Sequence, residues 1–324
     1  MALPYLALLG RIILLGFERV FVKRLGEGRG SVETTFVFFG LAALYLLPVA
    51  AIFGPPSPAF LRYAVPSGVI YSLAFVFYVK SLTTGEVSLV SPLANLNSLF
   101  LLVLAALVRG EHFTLLKLAG TLAIIVGASL LQAPGEGGGG SDGGGRGGGG
   151  RGGDSGGARA RRRTGAGRGG GGRSGGGRGV VALIHYPPAL AMAAYAALLA
   201  VTRIIDRGGI GVVSPATYAL TIYSIIALCL GVYLAARGRL GKAWALFVDR
   251  PVLALLAGVV NAYSYLLLMY AFVGLPLSVA EPVSSLSLFV TVYLGAVMFG
   301  EKVRGRVVPS ALVVLGSWLL LVRG

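Results

Sequence analysis

The chain of 324 residues is poor in the side chains that hold metals or cross-links, with one cysteine and two histidines. Cys229 stands alone inside an apolar run, so the chain can form neither an internal disulfide nor a cysteine-based metal site. His112 and His185 fall in separate loops or helix ends, and we expect them to be solvated or interfacial. We therefore predict no metal and no other cofactor.

Charged residues are also scarce. They make up 12% of the chain, against roughly 25% in a soluble domain. Hydrophobic residues make up 56%, and the mean hydropathy is +0.82. Apolar runs of about 20 residues recur, which is the length that crosses a hydrocarbon core of about 30 Å. These properties indicate a multi-pass membrane protein with apolar segments near 3–22, 34–53, 62–80, 87–108, 113–132, 186–205, 212–235, 251–273, 278–299 and 306–322.

One stretch differs from the rest in composition. Residues 135–179 hold 26 of the 51 glycines, nine arginines and three acids. Such a segment buries too little apolar surface to order itself, so a flexible linker is predicted. An RGG-like nucleic-acid tether is the alternative, but we do not expect it because the stretch has no aromatic residue for base stacking. The linker divides the chain into units 1–134 and 180–324, with five apolar segments each.

The two units repeat one pattern. Residues 91–111 read SPLANLNSLFLLVLAALVRGE and residues 281–301 read EPVSSLSLFVTVYLGAVMFGE. The Pro near the start and the closing Gly-Glu match at an offset of 190 residues. Because five spans per unit turn the second unit upside down, we predict an all-α integral membrane fold of ten transmembrane helices, arranged as two inverted five-helix repeats.

These repeats resemble a known family. Pro92 to Glu111, continued by KLAGTLAIIVGASLL (117–131), is similar to the EamA-type repeat of the drug/metabolite transporter superfamily. The second pattern, followed by SALVVLGSWLLLV, resembles the second such repeat. The resemblance implies a carrier in the cell membrane for an amino acid, a nucleotide sugar, a phosphorylated metabolite or a drug. It also implies both termini inside, whereas the excess of Lys and Arg in the loops after odd-numbered segments predicts a cytoplasmic linker and external termini.

A secondary carrier working by alternating access is the function predicted, and two other classes compete with it. A channel or a structural membrane protein gives no reason for an inverted duplication with matched polar positions. An intramembrane enzyme would need a nucleophile or metal cluster within the spans, and no such cluster is seen. No Walker motif is present, so ATP is not expected to drive transport directly.

Arg11 is a charge in the middle of the first apolar segment, which is costly in lipid. Glu18 lies on the same helical face, but a rise of 1.5 Å per residue separates the two by about 10 Å, too far for a direct pair. Arg11 is therefore expected to face a cavity, the interface or another helix. A role in substrate binding or coupling stands beside a structural interhelical pair.

Two roles are open for Glu281. Ser278 and Glu281 fit the S-x-x-E capping box at a helix start. The same carboxyl could instead bind a proton or a cation. Glu111 and Glu301 are expected to end their helices in water and to be structural.

Polar aromatic residues share one face of the third segment. Tyr71 and Tyr78 recur there with helical spacing, and the offset maps Tyr71 and Phe75 onto Asn261 and Tyr265. Interhelical hydrogen bonds are one reading of these positions, and a substrate path is the other. We predict a site for a small-molecule substrate near the bilayer midplane, with a coupling proton or ion as a further partner. The predicted substrate-binding residues are Arg11, Tyr71, Tyr78, Asn95, Asn261, Tyr265, Glu281 and Ser285.

Overall fold

The computed structural model describes residues 2–53, 58–84, 93–112, 114–132, 186–299 and 307–323. Within these ranges every regular element is a helix. The helices of the first unit are α1 Ala2–Gly26, α2 Ser31–Ala51, α3 Leu61–Thr84, α4 Leu96–Arg109 and α5 Leu115–Gln132. Those of the second unit are α6 Pro187–Gly209, α7 Pro215–Ala236, α8 Leu240–Asp249, α9 Pro251–Gly274, α10 Leu277–Val283, α11 Ser287–Phe299 and α12 Val307–Arg323. Short 3-10 turns occupy Pro58–Phe60 and Ser284–Leu286.

Helices long and apolar enough to cross a membrane are found in both units. The described residues contain five: Ser31–Ala51, Pro58–Ser81, Pro187–Gly209, Pro215–Ala236 and Pro251–Gly274. Shorter apolar helices lie at Leu96–Arg109, Leu115–Leu130, Leu277–Thr291 and Pro309–Val322. The chain is therefore an all-helical, multi-pass membrane protein, as its composition predicts.

The helix bounds follow the sequence offset. Helix α9, Pro251–Gly274, begins and ends 190 residues after α3, Leu61–Thr84. Along the chain, α5 comes after the first repeat pattern and α12 comes after the second. Pro92, His185, Glu301 and the predicted linker 135–179 lie outside the described residues.

Two features of the second unit differ from the prediction. The segment expected as one helix near 278–299 is split by the 3-10 turn at Ser284–Leu286. Pro282 has no backbone N–H to donate, and the Ser284 hydroxyl competes for the Ala280 carbonyl at 2.8 Å, so the helix is weakened at this point. Helix α8 was not predicted, because ten residues are too few to span a membrane.

Helices pack between the two units in a regular scheme. Helix α1 packs on α9 and α6 packs on α3; α2 packs on α7, and α5 on α12. Glycines at matched positions allow close approach, as the small-residue spacing predicts. A Cβ at Gly68 would lie 2.6 Å from the Ile225 side chain, and one at Gly258 would lie 2.7 Å from that of Leu41. The interior is thus built from contacts that join one unit to the other.

Candidate functional site

Two buried charges lie near the C-terminal end of α6. Arg203 is 3% exposed and Asp206 is 0% exposed. Their spacing of three residues puts both side chains on one face of the helix. The nearest oxygen of Asp206 lies 3.7 Å from Nη1 of Arg203. Because a buried charge needs partners to offset its desolvation, the surroundings of this pair define the site.

Four hydroxyl groups converge on the Asp206 carboxylate. Oδ1 accepts hydrogen bonds from Ser67 at 2.6 Å and from Tyr218 at 3.1 Å. Oδ2 accepts from Tyr71 at 3.0 Å and from Tyr265 at 2.9 Å. The donors come from α3, α7 and α9, so Asp206 ties three helices to α6.

Arg203 also faces a second carboxylate. Its Nε lies 3.3 Å from Oε2 of Glu281, and its Nη1 donates to the Tyr71 hydroxyl. The Asn97 amide donates to the other Glu281 oxygen at 3.0 Å. The guanidinium also lies 5.6 Å from the centres of the Tyr71 and Tyr265 rings, close enough for cation–π attraction. We call this group the Arg203 cluster: Ser67, Tyr71, Asn97, Arg203, Asp206, Tyr218, Tyr265 and Glu281.

A smaller polar group lies between α1 and α9. Arg11 Nη1 is 3.4 Å from the Glu18 carboxylate and donates a hydrogen bond to the Ser264 hydroxyl. We call these three residues the Arg11 cluster. The expectation that Arg11 and Glu18 are too far apart to pair is wrong. Two long side chains extending toward each other along the helix cover the distance between their backbones.

Aromatic rings occupy the space around the two clusters. Tyr78 and Tyr195 have ring centres 4.8 Å apart, and Tyr223 stacks on Tyr265 at 5.0 Å. The Tyr223 hydroxyl donates to the side-chain oxygen of Asn261 at 2.8 Å. The interior therefore combines flat apolar surfaces with hydroxyl and guanidinium donors.

The predicted site residues fall into several groups. Tyr71, Tyr265 and Glu281 meet in the Arg203 cluster, and Arg11 forms the second cluster. Tyr78 and Asn261 lie among the aromatic rings.

Two predicted residues stand beside helix starts. Asn95 precedes α4 and is 7% exposed, and its side-chain nitrogen has no hydrogen-bond partner in the described part of the chain. Ser285 is 6% exposed in the 3-10 turn before α11.

The structure corrects the capping prediction. Glu281 does not cap its helix, because its carboxyl points to Arg203 and Asn97. Glu111 caps α10 instead, accepting from the backbone N–H groups of Leu277 at 3.0 Å and Ser278 at 3.2 Å, and from the Ser278 hydroxyl. Glu111 thus has a structural role, but as a link from the end of α4 to α10 and not as a helix end in water.

Arg203 and Asp206 were not predicted as site residues. The predicted apolar segment ends near residue 205, where charges are usually solvated. Helix α6 runs to Gly209, and Arg203 and Asp206 are both buried. The available signal was a pair of opposite charges three residues apart in the last turns of an apolar run.

The site offers hydroxyl and guanidinium donors, not a metal-ligand set. Within the described ranges no group of three or more His, Cys, Asp or Glu side chains comes together. Arg203, Tyr71 and Tyr265 can bind polar or anionic groups, and the two carboxylates can bind a proton or a cation.

Residues 2–132 match a known family of membrane proteins. They belong to the EamA-like transporter family. This family is part of the drug/metabolite transporter superfamily, so the predicted resemblance is confirmed over these residues. The EamA-like half supplies Ser67, Tyr71 and Asn97 to the Arg203 cluster.

Solved structures resemble this chain over most of its length. Seventeen chains match. One of them, a crystal structure of a protein 16% identical to this one, has a TM-score of 0.64, and the match covers 98% of this chain and 95% of that one. At this identity the likeness concerns the fold alone. No curated protein matches the chain.

Proposed function

We propose that the chain is a secondary carrier of the cell membrane that moves a small polar metabolite, an amino acid or a drug by alternating access. In this proposal ten transmembrane helices form two inverted five-helix repeats. The substrate and the lipid bilayer are the partners, a proton or an ion is coupled to transport, and no enzymatic reaction takes place.

The scheme of helix contacts supports the inverted repeat. The first helix of each unit, α1 or α6, packs on the third long helix of the other unit, α9 or α3. Likewise α1 packs on α11, and α6 packs on α4. Such exchanged contacts are expected of two units related by a pseudo-two-fold axis, and they let the units swap conformations.

The observation that carries the proposal is the Arg203 cluster. It joins charged and hydroxyl side chains from both units in an apolar interior, where each unpaired charge would be costly. Structural helix packing alone needs no such concentration of ionisable groups. In inverted-repeat carriers the substrate site lies where the two repeats meet, and this cluster lies at that boundary.

Counterflow in proteoliposomes tests the proposal. Vesicles holding the purified full chain are loaded with unlabelled compound and given a labelled trace of the same compound. The panel is an amino-acid mixture, uridine monophosphate, glucose 6-phosphate and tetraphenylphosphonium. A carrier gives a transient, saturable accumulation of label for at least one compound. Flux without saturation or counterflow indicates a channel, and no flux for any probe contradicts the proposed substrate classes.

The control variant follows from the exposure of α4. Leu104 is unsuitable as a lipid-facing control, because its side chain is half-buried and packs against the core. Leu107 is 78% exposed and is the better choice. Leu107→Ala should leave counterflow unchanged.

A further inference from the structure

The charges around Arg203 do not balance. One guanidinium faces two carboxylates, at 3.7 Å from Asp206 and 3.3 Å from Glu281. With both acids ionised the cluster carries one negative charge in excess. An uncompensated charge is costly in an apolar interior, and protonation of one of the two acids would remove it.

The surroundings differ between the two acids. Asp206 has four O–H donors directed at its two oxygens, and an ionised carboxylate is the form that accepts from all of them. If Asp206 took the proton, at least one of these hydroxyls would have to turn and become an acceptor. Asp206 is therefore the fixed negative partner of Arg203.

Glu281 is much less firmly held as an anion. It accepts one hydrogen bond, from Asn97, and its Oε2 is buried without a hydrogen bond in the described part of the chain. Arg203 Nε lies 3.3 Å from this oxygen, but its N–H is not aimed at it and makes no hydrogen bond to any described residue. The contact is thus a charge–charge attraction without a locked hydrogen bond.

The Asn97 amide can hydrogen-bond to Glu281 whether the Glu281 carboxyl is ionised or protonated. Its Nδ2 donates to the ionised carboxylate, and its Oδ1 is buried with no hydrogen bond in the described residues. An amide has donors on one side and an acceptor on the other. Rotating the amide by half a turn would present Oδ1 to the O–H of protonated Glu281.

The helices around α10 carry further ionisable groups. Helices α4, α5, α6, α9 and α12 all contact α10. Among the described residues on these helices, Arg203 alone lies within ion-pair distance of Glu281. The described titratable or charged side chains on these helices are Arg109, Lys117, Tyr195, Arg203, Asp206, Arg207, Tyr263, Tyr265 and Tyr270, and Glu111 follows α4 and caps α10.

We propose that Glu281 is the coupling site of the carrier, which binds a proton on one side of the membrane and releases it on the other. This inference rests on the proposed function. Oε2 takes a proton from the aqueous phase to form a neutral carboxylic acid, while Arg203 keeps Asp206 as its counter-ion. Breaking the same O–H bond later returns the proton to water on the opposite side.

Infrared spectroscopy of the purified full chain tests proton binding without any substrate. Stepping the bath pH should produce a carboxylic-acid C=O band in the wild type. Glu281→Gln should lose this band, and Glu18→Gln, the same change at the carboxyl of the Arg11 cluster, should keep it. Glu281→Asp retains a carboxyl, so it should keep a shifted band. A band that persists in Glu281→Gln, or no band in the wild type, overturns the inference.

Transport then tests coupling with the panel compound that shows counterflow. One proton per substrate allows roughly tenfold accumulation for a gradient of about one pH unit. Glu281→Gln should lose this accumulation and retain a larger share of its counterflow than of its accumulation, while Leu107→Ala should keep both. Loss of both in a folded variant makes Glu281 a substrate or structural residue, and retention of both excludes it from coupling. Absence of counterflow in the wild type instead counts against the proposed function, whatever the infrared result.

Discussion

The two polar clusters occupy corresponding places in the helix scheme but differ in composition. The Arg11 cluster lies where α1 packs on α9, and the Arg203 cluster lies where α6 packs on α3. The first has one cation, one carboxylate and one serine, and its two charged side chains are 8% and 12% exposed. The second has one cation, two carboxylates and four hydroxyl donors, and Asp206 is fully buried.

This difference indicates that the Arg11 cluster is structural and that the Arg203 cluster is able to change its charge. The Arg11 cluster holds one cation and one carboxylate and is balanced in charge. In the Arg203 cluster, Asp206 accepts four hydrogen bonds from hydroxyl groups, whereas Glu281 accepts one, from Asn97. A polar contact thus lies in both places, and the unbalanced charge is concentrated in one of them.

The largest effect is expected from Asp206→Ala. Removing one partner of a buried ion pair costs about 3–5 kcal/mol, and here the change also leaves four hydroxyls without their acceptor. We expect a large drop in folded yield and in the thermal unfolding temperature in detergent. Asp206→Asn, which keeps two acceptor or donor atoms in place, should lose less. Equal unfolding temperatures for wild type and Asp206→Ala would contradict the role of Asp206 as the fixed anion.

A smaller loss is expected from Arg11→Met at the other cluster. The change leaves Glu18 without its cation, but this carboxylate is 12% exposed and has less desolvation to offset. A hydrogen bond to a charged group is worth about 1.5–3 kcal/mol, which sets the expected scale. The same unfolding measurement applies, with Leu107→Ala as the neutral control. If Arg11→Met is more damaging than Asp206→Ala, the ranking of the clusters is reversed.

The helices and the charge at Arg11 could be predicted from the sequence, but the buried pair of Arg203 and Asp206 could not. The apolar runs and the offset between α3 and α9 were read from periodicity and repetition. Arg11 was noticed because a charge in mid-helix is rare. Arg203 and Asp206 stand near a helix end, where charges are usually solvated, and only tertiary contacts reveal that this end is buried.

Hydrogen-bond partners were also beyond sequence reasoning. Tyr71 and Asn261 are images of each other under the offset, yet Tyr71 binds Asp206 while Asn261 accepts from Tyr223. Side-chain direction and the neighbouring helix decide these partners. Neither is fixed by position along one helix.

Tyr71→Phe and Tyr265→Phe sharpen the comparison within the Arg203 cluster. Each removes one of four donors to Asp206, so each should cost about 0.5–1.5 kcal/mol. Tyr71 also accepts from Arg203, so its loss disturbs two partners. We expect Tyr71→Phe to raise the apparent KM for counterflow several-fold and Tyr265→Phe to raise it less. Identical apparent KM values for the two variants would contradict the larger role expected for Tyr71.

Asn261→Ala probes the aromatic region between the clusters. The variant removes the nearer acceptor of the Tyr223 hydroxyl, at 2.8 Å, and leaves the Asn261 backbone carbonyl at 3.3 Å. We expect the apparent KM to rise several-fold, because losing one hydrogen bond costs about 0.5–1.5 kcal/mol. Leu107→Ala serves as the control. Normal transport by a folded Asn261→Ala protein would mean that this amide only joins helices.

The smallest effect is expected from the linker. Both clusters are closed by helix contacts between the two units, such as α3 with α6 and α1 with α9, so the covalent connection need only join the end of α5 to the start of α6. Residues 135–179 are mostly glycine and arginine, and a chain of this composition gains little by ordering. Shortening the stretch to about 12 flexible residues should therefore leave the KM and the maximal rate of counterflow unchanged. If a correctly inserted short-linker protein loses transport, the linker acts on the clusters through binding or regulation, and the two units are not coupled by helix packing alone.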